Sequence, residues 1–356
     1  MDESDNKIYF CVSDIHGFAT ELKRALWEAG FRKTNKNHVL IVCGDVFDRG
    51  SEAIKVYDYL KSIDKNRLIL IKGNHEQLYF DLLNKNYPEY HDFSNGTVST
   101  FCQIADMTES PIDGVPMVNY LYYTMLDYLH PDANDDADRR WKAIKAKVAA
   151  SQITSWLESD AWKNYCEIGK FILVHGFIPE VGAEWRKEAT ERDWLSAAWG
   201  CPWKQYLRGG FDREAAQGKI LVCGHWHTED FFMHLANDPS KHDDIFYLDN
   251  IIAIDGGVEY VDEKLVHKQN VLIIDKDKPY AEKLGQELRM AVKQRSADEG
   301  SWWVDPNRSS EDICLCAADC KKPCARKHKA VGLATYSDFS DACSDFEPED
   351  KQDVSD

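Results

Sequence analysis

Three short hydrophobic runs near the N-terminus, each ending directly at a polar motif, constrain the fold of this chain most strongly. They cover residues 7–12, 38–43 and 67–72. Each run is nearly continuous and rich in β-branched residues, which is typical of buried parallel strands. The stretches between them, residues 20–29 and 52–62, carry apolar side chains at helical spacing. The pattern therefore predicts two consecutive βαβ units.

The polar residues that follow these three strands are of the kinds that bind divalent metals. Asp14 and His16 follow the first strand, Asp45 the second and Asn74 the third. Because polar residues at the carboxyl ends of parallel strands share one edge of the sheet, we expect these side chains to lie close together. Carboxylate, amide and imidazole groups suit divalent ions of intermediate hardness. The sequence therefore predicts a metal site at this edge.

The same order of strand and ligand recurs far along the chain. Residues 171–174 form an apolar run that ends at His175, and residues 219–223 form another that is followed by His225 and His227. We expect these imidazoles to join the polar residues of the first three strands. The combined ligand set is large enough for two ions, which favours a metallohydrolase.

The remaining patterns complete the predicted architecture. Residues 251–257 and 270–275 predict a closing pair of strands. Between residues 95 and 165 the pattern becomes helical and amphipathic, most clearly at residues 141–148. We interpret that segment as a helical insertion that caps the site and shapes substrate access. The predicted fold is α/β, with a two-layered β-sandwich core flanked by helices.

The polar motifs, taken in order, resemble the calcineurin-like metallophosphoesterase superfamily. They are Asp-x-His-Gly at 14–17, Gly-Asp-x-x-Asp-Arg-Gly at 44–50, Gly-Asn-His-Glu at 73–76, Val-His-Gly at 174–176 and Gly-His-x-His at 224–227. Any one of them alone is typical of a turn, whereas the ordered set is specific. The second and third resemble most the serine/threonine phosphoprotein phosphatases and their bacterial and phage relatives, which include symmetrical diadenosine tetraphosphate hydrolases.

The resemblance implies two divalent metal ions, with Mn²⁺ favoured and Fe or Zn as alternatives. The implied ligands are Asp14 and His16 for the first ion, Asn74, His175 and His225 for the second, and Asp45 bridging both. In the broad superfamily a second histidine, here His227, also reaches the first ion, although phosphoprotein phosphatases often have one histidine in this motif. A hydroxide between the ions would attack phosphorus directly, without a covalent phosphoenzyme.

The resemblance also assigns catalytic roles within two of the motifs. His75 would protonate the leaving oxygen with help from Asp48, which agrees with the chemistry of a histidine held by a carboxylate on its other nitrogen. Arg49 would hold the non-bridging phosphate oxygens in a forked contact.

Family members supply a second arginine from the segment after the Val-His-Gly strand, but here Ala198 stands where a basic residue is expected. Arg186 is our candidate for this substrate contact, and Arg192 and Arg208 are alternatives.

Composition limits the class of partner. The formal net charge of −18 disfavours generic binding to nucleic acid, although a dimetal site still attracts a single phosphate. Apolar residues make up 44% of the 356 residues, which is enough for a sizeable core. Because the N-terminus is acidic and no apolar run approaches bilayer-spanning length, the sequence predicts neither a signal peptide nor a membrane helix, and a cytoplasmic location.

Beyond the predicted catalytic domain, residues 1–296, the composition becomes charged and rich in cysteine. Residues 297–356 are expected to form a loosely ordered tail that makes no contribution to catalysis. Five of the eleven cysteines lie in this tail, and four of them crowd into eleven residues, at Cys314, Cys316, Cys320 and Cys324. They admit an additional Zn site or redox-sensitive thiols, although no paired C-x-x-C is present.

These observations predict a metal-dependent phosphoesterase that hydrolyses phosphomonoesters, with a serine/threonine protein phosphatase as the preferred interpretation. One alternative is hydrolysis of a dinucleoside polyphosphate or an RNA-end phosphate. Another is a non-catalytic phosphate-binding module, which would be expected to have lost Asp45, Asn74 or His75, yet all three are present.

Overall fold

The computed structural model describes residues 6–126, 134–207, 216, 218–236, 238, 240, 243–248, 250–261 and 264–275. The predicted domain boundary at 296/297, the tail with its cluster of four cysteines, and Arg208 all lie outside the described residues. The strands are β1 (Ile8–Val12), β2 (His38–Cys43), β3 (Leu68–Ile71), β4 (Trp162–Lys163), β5 (Cys166–Ile168), β6 (Phe171–Leu173), β7 (Ile220–Cys223), β8 (Phe246–Leu248), β9 (Ile251–Ala253), β10 (Glu259–Val261), β11 (Lys264–His267) and β12 (Leu272–Ile274).

The helices lie mainly between these strands. They are α1 (Ala19–Glu28), α2 (Ala53–Lys61), α3 (Asn74–Asn84), α4 (Tyr90–Ser94), α5 (Thr97–Ile104), α6 (Met117–Leu126), α7 (Asn134–Ala149), α8 (Gln152–Leu157), α9 (Trp185–Glu188), α10 (Glu191–Ala198), α11 (Pro202–Leu207) and α12 (Thr228–Phe231). Helices α5 to α8 follow one another between Thr97 and Leu157, within the segment 95–165 for which a helical pattern was predicted. No helix among the described residues is both long and apolar enough to cross a bilayer.

Two five-stranded sheets form the centre of the fold. The first has the strand order β12-β1-β2-β3-β4, in which β1 to β4 are parallel and β12 is an antiparallel edge. The second has the order β5-β6-β7-β9-β8, with β6, β7 and β9 parallel and the two edge strands antiparallel. Parallel strands place their carboxyl ends on one side, so the loops that follow them converge.

Alternation along each strand divides the core into layers. In β2, Leu40 and Val42 pack against the outer helices with residues such as Leu60 of α2, whereas Ile41 belongs to a cluster that includes Val222 of the second sheet. These side chains are fully buried. Complete burial of a residue such as Ile41 contributes about 1.5–3 kcal/mol. The two sheets therefore form a sandwich with helices outside, as predicted.

One expectation about pairing is wrong. The runs at 251–257 and 270–275 do form strands, but β9 pairs with β7 and β8 in the second sheet, whereas β12 pairs with β1 in the first. The hairpin of β10 and β11 lies between them in the chain. Both runs are short and apolar, and a hydrophobic pattern identifies a buried strand without identifying its partner.

Candidate metal centre

Backbone strain is concentrated where the central strands end. Among the described residues, seven non-glycine residues have a positive φ, and all but Asp106 are predicted site residues: Asp14, His16, Asp45, Asp48, Arg49 and His225. The φ angles of these site residues lie between 47° and 73°, a region that residues with a Cβ seldom occupy. Each such residue costs about 1–3 kcal/mol and persists only where its surroundings fix it. This concentration marks the loops as a functional region.

The carboxylate of Glu76 fastens the loop after β2 to the loop after β3. It accepts hydrogen bonds from the backbone N–H groups of Gly73 (2.6 Å), Asp45 (3.0 Å) and Val46 (3.0 Å). Gly73 packs so closely here that a Cβ would overlap the Asp45 carboxylate. Burial, and then the charge of Asp45, raises the pKa of Glu76, while these three donors oppose the rise. The motifs predicted no role for Glu76, although its position three residues after Gly73 matches a helix capping arrangement.

The carboxylate of Asp45 lies at the centre of the site. Its Oδ1 is 3.3 Å from His175 Nε2, and its Oδ2 is 3.9 Å from His16 Nε2 and 3.8 Å from His75 Nε2. Asp45 belongs to two groups of potential ligands, one with His16 and His75 and the other with His175 and His225, each within 4.8 Å. A carboxylate shared by two ligand groups is suited to bridge two ions.

The surroundings of His175 fit a bound cation. Its Nδ1 lies 2.8 Å from the backbone oxygen of Cys43, which only accepts hydrogen bonds, so Nδ1 carries the proton. Its Nε2 faces two further oxygens, Asn74 Oδ1 at 2.7 Å and Asp45 Oδ1 at 3.3 Å. An imidazole nitrogen that faces two oxygen acceptors needs either a proton of its own or a metal ion between it and the oxygens. A divalent metal ion meets this requirement, and so the donor set fits the group that the motifs imply.

Asp14 and His16 occupy the other side of Asp45. Asp14 Oδ1 is 3.9 Å from His16 Nε2, and Asp14 Oδ2 accepts a hydrogen bond from the backbone N–H of His225 (2.9 Å). His16 Nδ1 lies 3.0 Å from the backbone oxygen of Phe47, which again leaves Nε2 free to coordinate. Burial, and then the nearby carboxylate of Asp255, raises the pKa of Asp14 well above its usual value. A neighbouring metal ion would stabilise the ionised form.

The imidazoles differ in their electrostatics. Burial, and then the positive charge of Arg49, lowers the pKa of His16 well below its usual value, and burial and then His175 lower that of His225. Burial alone would also lower the pKa of His175, but the carboxylates of Asp45 and Asp14 raise it to about 10. Neutral imidazoles are the form that binds metals, and a metal ion would replace the proton that His175 otherwise holds.

His75 and Asp48 form a buried pair beside this cluster. His75 Nδ1 is 2.7 Å from Asp48 Oδ2, and the opposite ring nitrogen faces Asp45. The backbone N–H of His75 also donates to Asp45 Oδ1 (3.0 Å), which fixes the first turn of α3 against the site. Arg49 follows Asp48 directly, and its charge acts on both His16 and His225. The structure therefore brings the three predicted catalytic residues to the ligand cluster.

His227 lies at the margin of the site. Its Nε2 is 3.9 Å from Asp255 Oδ2, and His227 belongs to none of the three groups of potential metal ligands found in the described part of the chain. Asp255 is buried and accepts a hydrogen bond from the backbone N–H of Gly257 (2.8 Å). Asp255 thus links His227 to Asp14 electrostatically, and the role of His227 as a ligand stays a prediction.

Arg186 lies in a different environment from the one we expected. Its Nε donates to Glu167 (2.5 Å) on β5, and its guanidinium stacks 4.2 Å from the ring of Trp185. Lys219 pairs with the same carboxylate. Since the described contacts of Arg186 are with Glu167 and Trp185 and not with the Asp45 cluster, its position does not support a phosphate contact. The presence of a basic residue in the segment after the Val-His-Gly strand does not determine which edge of the sheet its side chain will face.

A cleft of about 470 Å³ opens beside His175. Its walls are helix α3, the segment that follows α8, and helix α10. The lining includes the aromatic residues Phe80, Trp162, Phe177 and Trp194. Glu158 and Asp160 are exposed carboxylates on its wall, and the Lys72 ammonium pairs with Glu191 at 3.0 Å. The cleft is therefore partly aromatic and predominantly acidic.

Comparison with known proteins gives several partial matches. Shewanella-like protein phosphatase 1 of Plasmodium berghei (strain Anka) is 36% identical over 107 residues, which cover 25% of this chain and 30% of that protein. Shewanella-like protein phosphatase 2 of Arabidopsis thaliana is 24% identical over 227 residues, covering 56% and 54%. A symmetrical bis(5'-nucleosyl)-tetraphosphatase of Buchnera aphidicola subsp. Schizaphis graminum (strain Sg) is 42% identical over 69 residues, covering 19% and 24%.

The chain thus spans about half or less of the length of these relatives. The pattern of the calcineurin-like phosphoesterase family, in contrast, matches residues 9–229, which is more than half of the chain. That span contains every metal ligand and catalytic residue predicted from the motifs. The chain therefore belongs to the calcineurin-like phosphoesterase family.

Proposed function

We propose that this protein hydrolyses phosphomonoesters with a pair of metal ions, and that its substrates are phosphoserine- and phosphothreonine-containing proteins. The observation that carries the proposal is the position of Asp45, whose two carboxylate oxygens face separate imidazoles. The proposed ligands are Asp14, His16, Asp45, Asn74, His175 and His225, with His227 as a further ligand of the first ion. Mn²⁺ is the proposed metal, with Fe and Zn as alternatives. When bound, such ions lower the pKa of a bound water and neutralise charge on the phosphate.

In this proposal His75 is the general acid. Its Nδ1–H donates to Asp48, which fixes the orientation of the ring and stabilises the protonated imidazole. As the bond between phosphorus and the leaving oxygen breaks, the Nε2 proton moves to that oxygen, and the oxygen of an attacking water forms the new bond to phosphorus. One proton of this water stays on the phosphate product, and its other proton is released and restores the proton that His75 has lost. The products are an alcohol and inorganic phosphate. A general acid of this kind contributes on the order of 10²- to 10⁴-fold in rate.

Arg49 is proposed to bind the non-bridging phosphate oxygens. It follows Asp48 in a left-handed turn, and its charge acts on histidines from both ligand groups. A guanidinium at this position balances the charge of a phosphate while donating two parallel hydrogen bonds.

The charge of the cleft favours a protein substrate over a dinucleoside polyphosphate. Glu158 and Asp160 have no ion-pair partner among the described residues, and Lys72 is already paired with Glu191. A polyphosphate with several negative charges would be repelled by this lining, whereas a peptide presents one phosphate and flanking side chains of either charge. Because a bis(5'-nucleosyl)-tetraphosphatase is among the relatives, hydrolysis of a dinucleoside tetraphosphate is the second candidate function.

A substrate panel tests the assignment. Purified full-length protein with added Mn²⁺ would be assayed on phosphoserine and phosphothreonine peptides, p-nitrophenyl phosphate, diadenosine tetraphosphate and phosphate-terminated RNA, with the Asp45→Asn variant as control. We expect the highest kcat/KM for the phosphopeptides. A higher value for diadenosine tetraphosphate or RNA ends would transfer the assignment to the second candidate. If the wild-type protein binds phosphate but turns over none of these substrates, it is a non-catalytic binding module.

A further inference from the structure

One face of α5, the first long helix of the insertion, holds the turn that carries Asp48 and Arg49. Asp48 N–H donates to Thr100 Oγ1 (3.0 Å), and Gln103 Nε2 donates to the backbone oxygen of Gly50 (3.0 Å). Thr97, Thr100 and Gln103 recur every three residues and therefore share one side of the helix. The opposite side of the helix enters the hydrophobic core.

The contact of Thr97 with Asp48 is the most specific of this set. Thr97 Oγ1 donates to Asp48 Oδ2 (2.8 Å), the same oxygen that lies 2.7 Å from His75 Nδ1. All three side chains are buried, and Thr97 is completely inaccessible to solvent. Asp48 Oδ1 has no hydrogen-bond partner among the described residues. Thr97 and His75 are thus the two side-chain donors that determine which carboxylate oxygen faces the imidazole.

The backbone around Thr97 is fitted to the same turn. Gly96 precedes α5 with a φ of 86°, and a Cβ at this position would overlap the backbone nitrogen of Arg49. The start of α5 therefore rests directly on the Asp48–Arg49 turn. A threonine that merely completed its own hydrogen bonding at a helix start would not require this close approach.

We infer that Thr97 is a positioning residue for the His75–Asp48 pair, so that the helical insertion takes part in orienting the proton donor. The inference rests on the proposed role of His75. Without the hydroxyl, the Asp48 carboxylate loses one of the two donors that fix its rotation, and either oxygen can then face His75. The ring of His75 would lose its fixed direction toward the leaving oxygen, while the metal ligands would keep their places.

The test compares Thr97→Val, which has the same shape without the hydroxyl, with Thr97→Ser, which keeps it. Thr154→Val is the matched control, because Thr154 is another buried threonine whose hydroxyl bonds Val148 and Tyr79 rather than the site. For an alkyl phosphate we expect Thr97→Val to lower kcat by about 10- to 100-fold, the range for a lost outer hydrogen-bond partner, with little change in KM. The loss should be smaller for p-nitrophenyl phosphate, whose leaving group needs less protonation. Thr97→Ser should recover most of the rate.

His75→Asn, alone and combined with Thr97→Val, separates this inference from the proposed function. If Thr97 acts through His75, the double variant should be no slower than His75→Asn. Suppose that His75→Asn lowers kcat strongly, whereas Thr97→Val has the same kcat as the Thr154→Val control. That result would overturn the inference and leave the proposed function standing. An unchanged rate in His75→Asn would overturn both. Metal content and thermal unfolding are measured for each variant, and Thr97→Ala replaces Thr97→Val if the valine variant fails to fold.

Discussion

Replacing Glu76 by glutamine tests how the loops that carry the metal ligands are held together. Glu76 Oε2 accepts from two backbone N–H groups and Oε1 from a third, all from the loops after β2 and β3. Glutamine keeps one acceptor oxygen and presents an NH₂ group in place of the other. Whichever way the amide turns, at least one buried N–H group faces a donor instead of an acceptor.

The size of the effect follows from these contacts. Each buried N–H group left without an acceptor costs about 1–3 kcal/mol. Removal of a buried charge offsets part of this cost, because the raised pKa of Glu76 shows that its ionised form is disfavoured by burial. We therefore expect Glu76→Gln to lower the free energy of unfolding by about 1–3 kcal/mol. A loop displacement of about 1 Å would also reduce turnover, by up to about 10²-fold.

Urea unfolding of the metal-free protein, followed by tryptophan fluorescence, measures the first effect, and turnover of p-nitrophenyl phosphate measures the second. Glu191→Gln is the matched control, since Glu191 is exposed and its pair with Lys72 is a surface ion pair worth about 0–1 kcal/mol. If Glu76→Gln unfolds with the same free energy as Glu191→Gln and retains full turnover, the three hydrogen bonds do not hold the loops as the geometry indicates.

Two further predictions concern the acid and the tail. His75→Asn should keep its metal content, while its rate should fall by on the order of 10²- to 10⁴-fold for alkyl phosphates and by less for p-nitrophenyl phosphate. Steady-state kinetics measures both losses, and an equal loss for the two substrates would argue against His75 as the acid. Removal of residues 297–356 should leave turnover nearly unchanged, because every proposed ligand and catalytic residue lies between Asp14 and His227. A truncated protein that is folded and metal-loaded but inactive would contradict that boundary.

The strands and their polar ends could be predicted because one physical pattern specifies both. A parallel strand buried on both faces requires an apolar run, and the run must stop where the chain turns toward solvent or a ligand. β2 illustrates this, since the predicted and observed bounds are both 38–43.

The features that could not be predicted from the sequence depend on contacts between residues that are distant in the chain. The separation of β9 and β12 into different sheets, the ion pair of Arg186 with Glu167 and the contact of Thr97 with Asp48 each join segments through tertiary packing. Periodicity within a segment carries no information on these contacts. Glu76 is a different case, because its capping position was visible in the motif but its bonds to the neighbouring loop were not.

Metal content of the Asp45→Asn variant tests the central claim most directly. Because Asp45 is proposed to touch both ions, its replacement by an amide should weaken both sites, whereas Asp14→Asn should affect mainly one. We predict that wild-type protein loaded with Mn²⁺ and analysed by elemental mass spectrometry holds two ions per chain, that Asp14→Asn loses mainly one, and that Asp45→Asn loses both together with nearly all turnover. An Asp45→Asn protein that retains two ions per chain and normal activity would contradict the two-metal account.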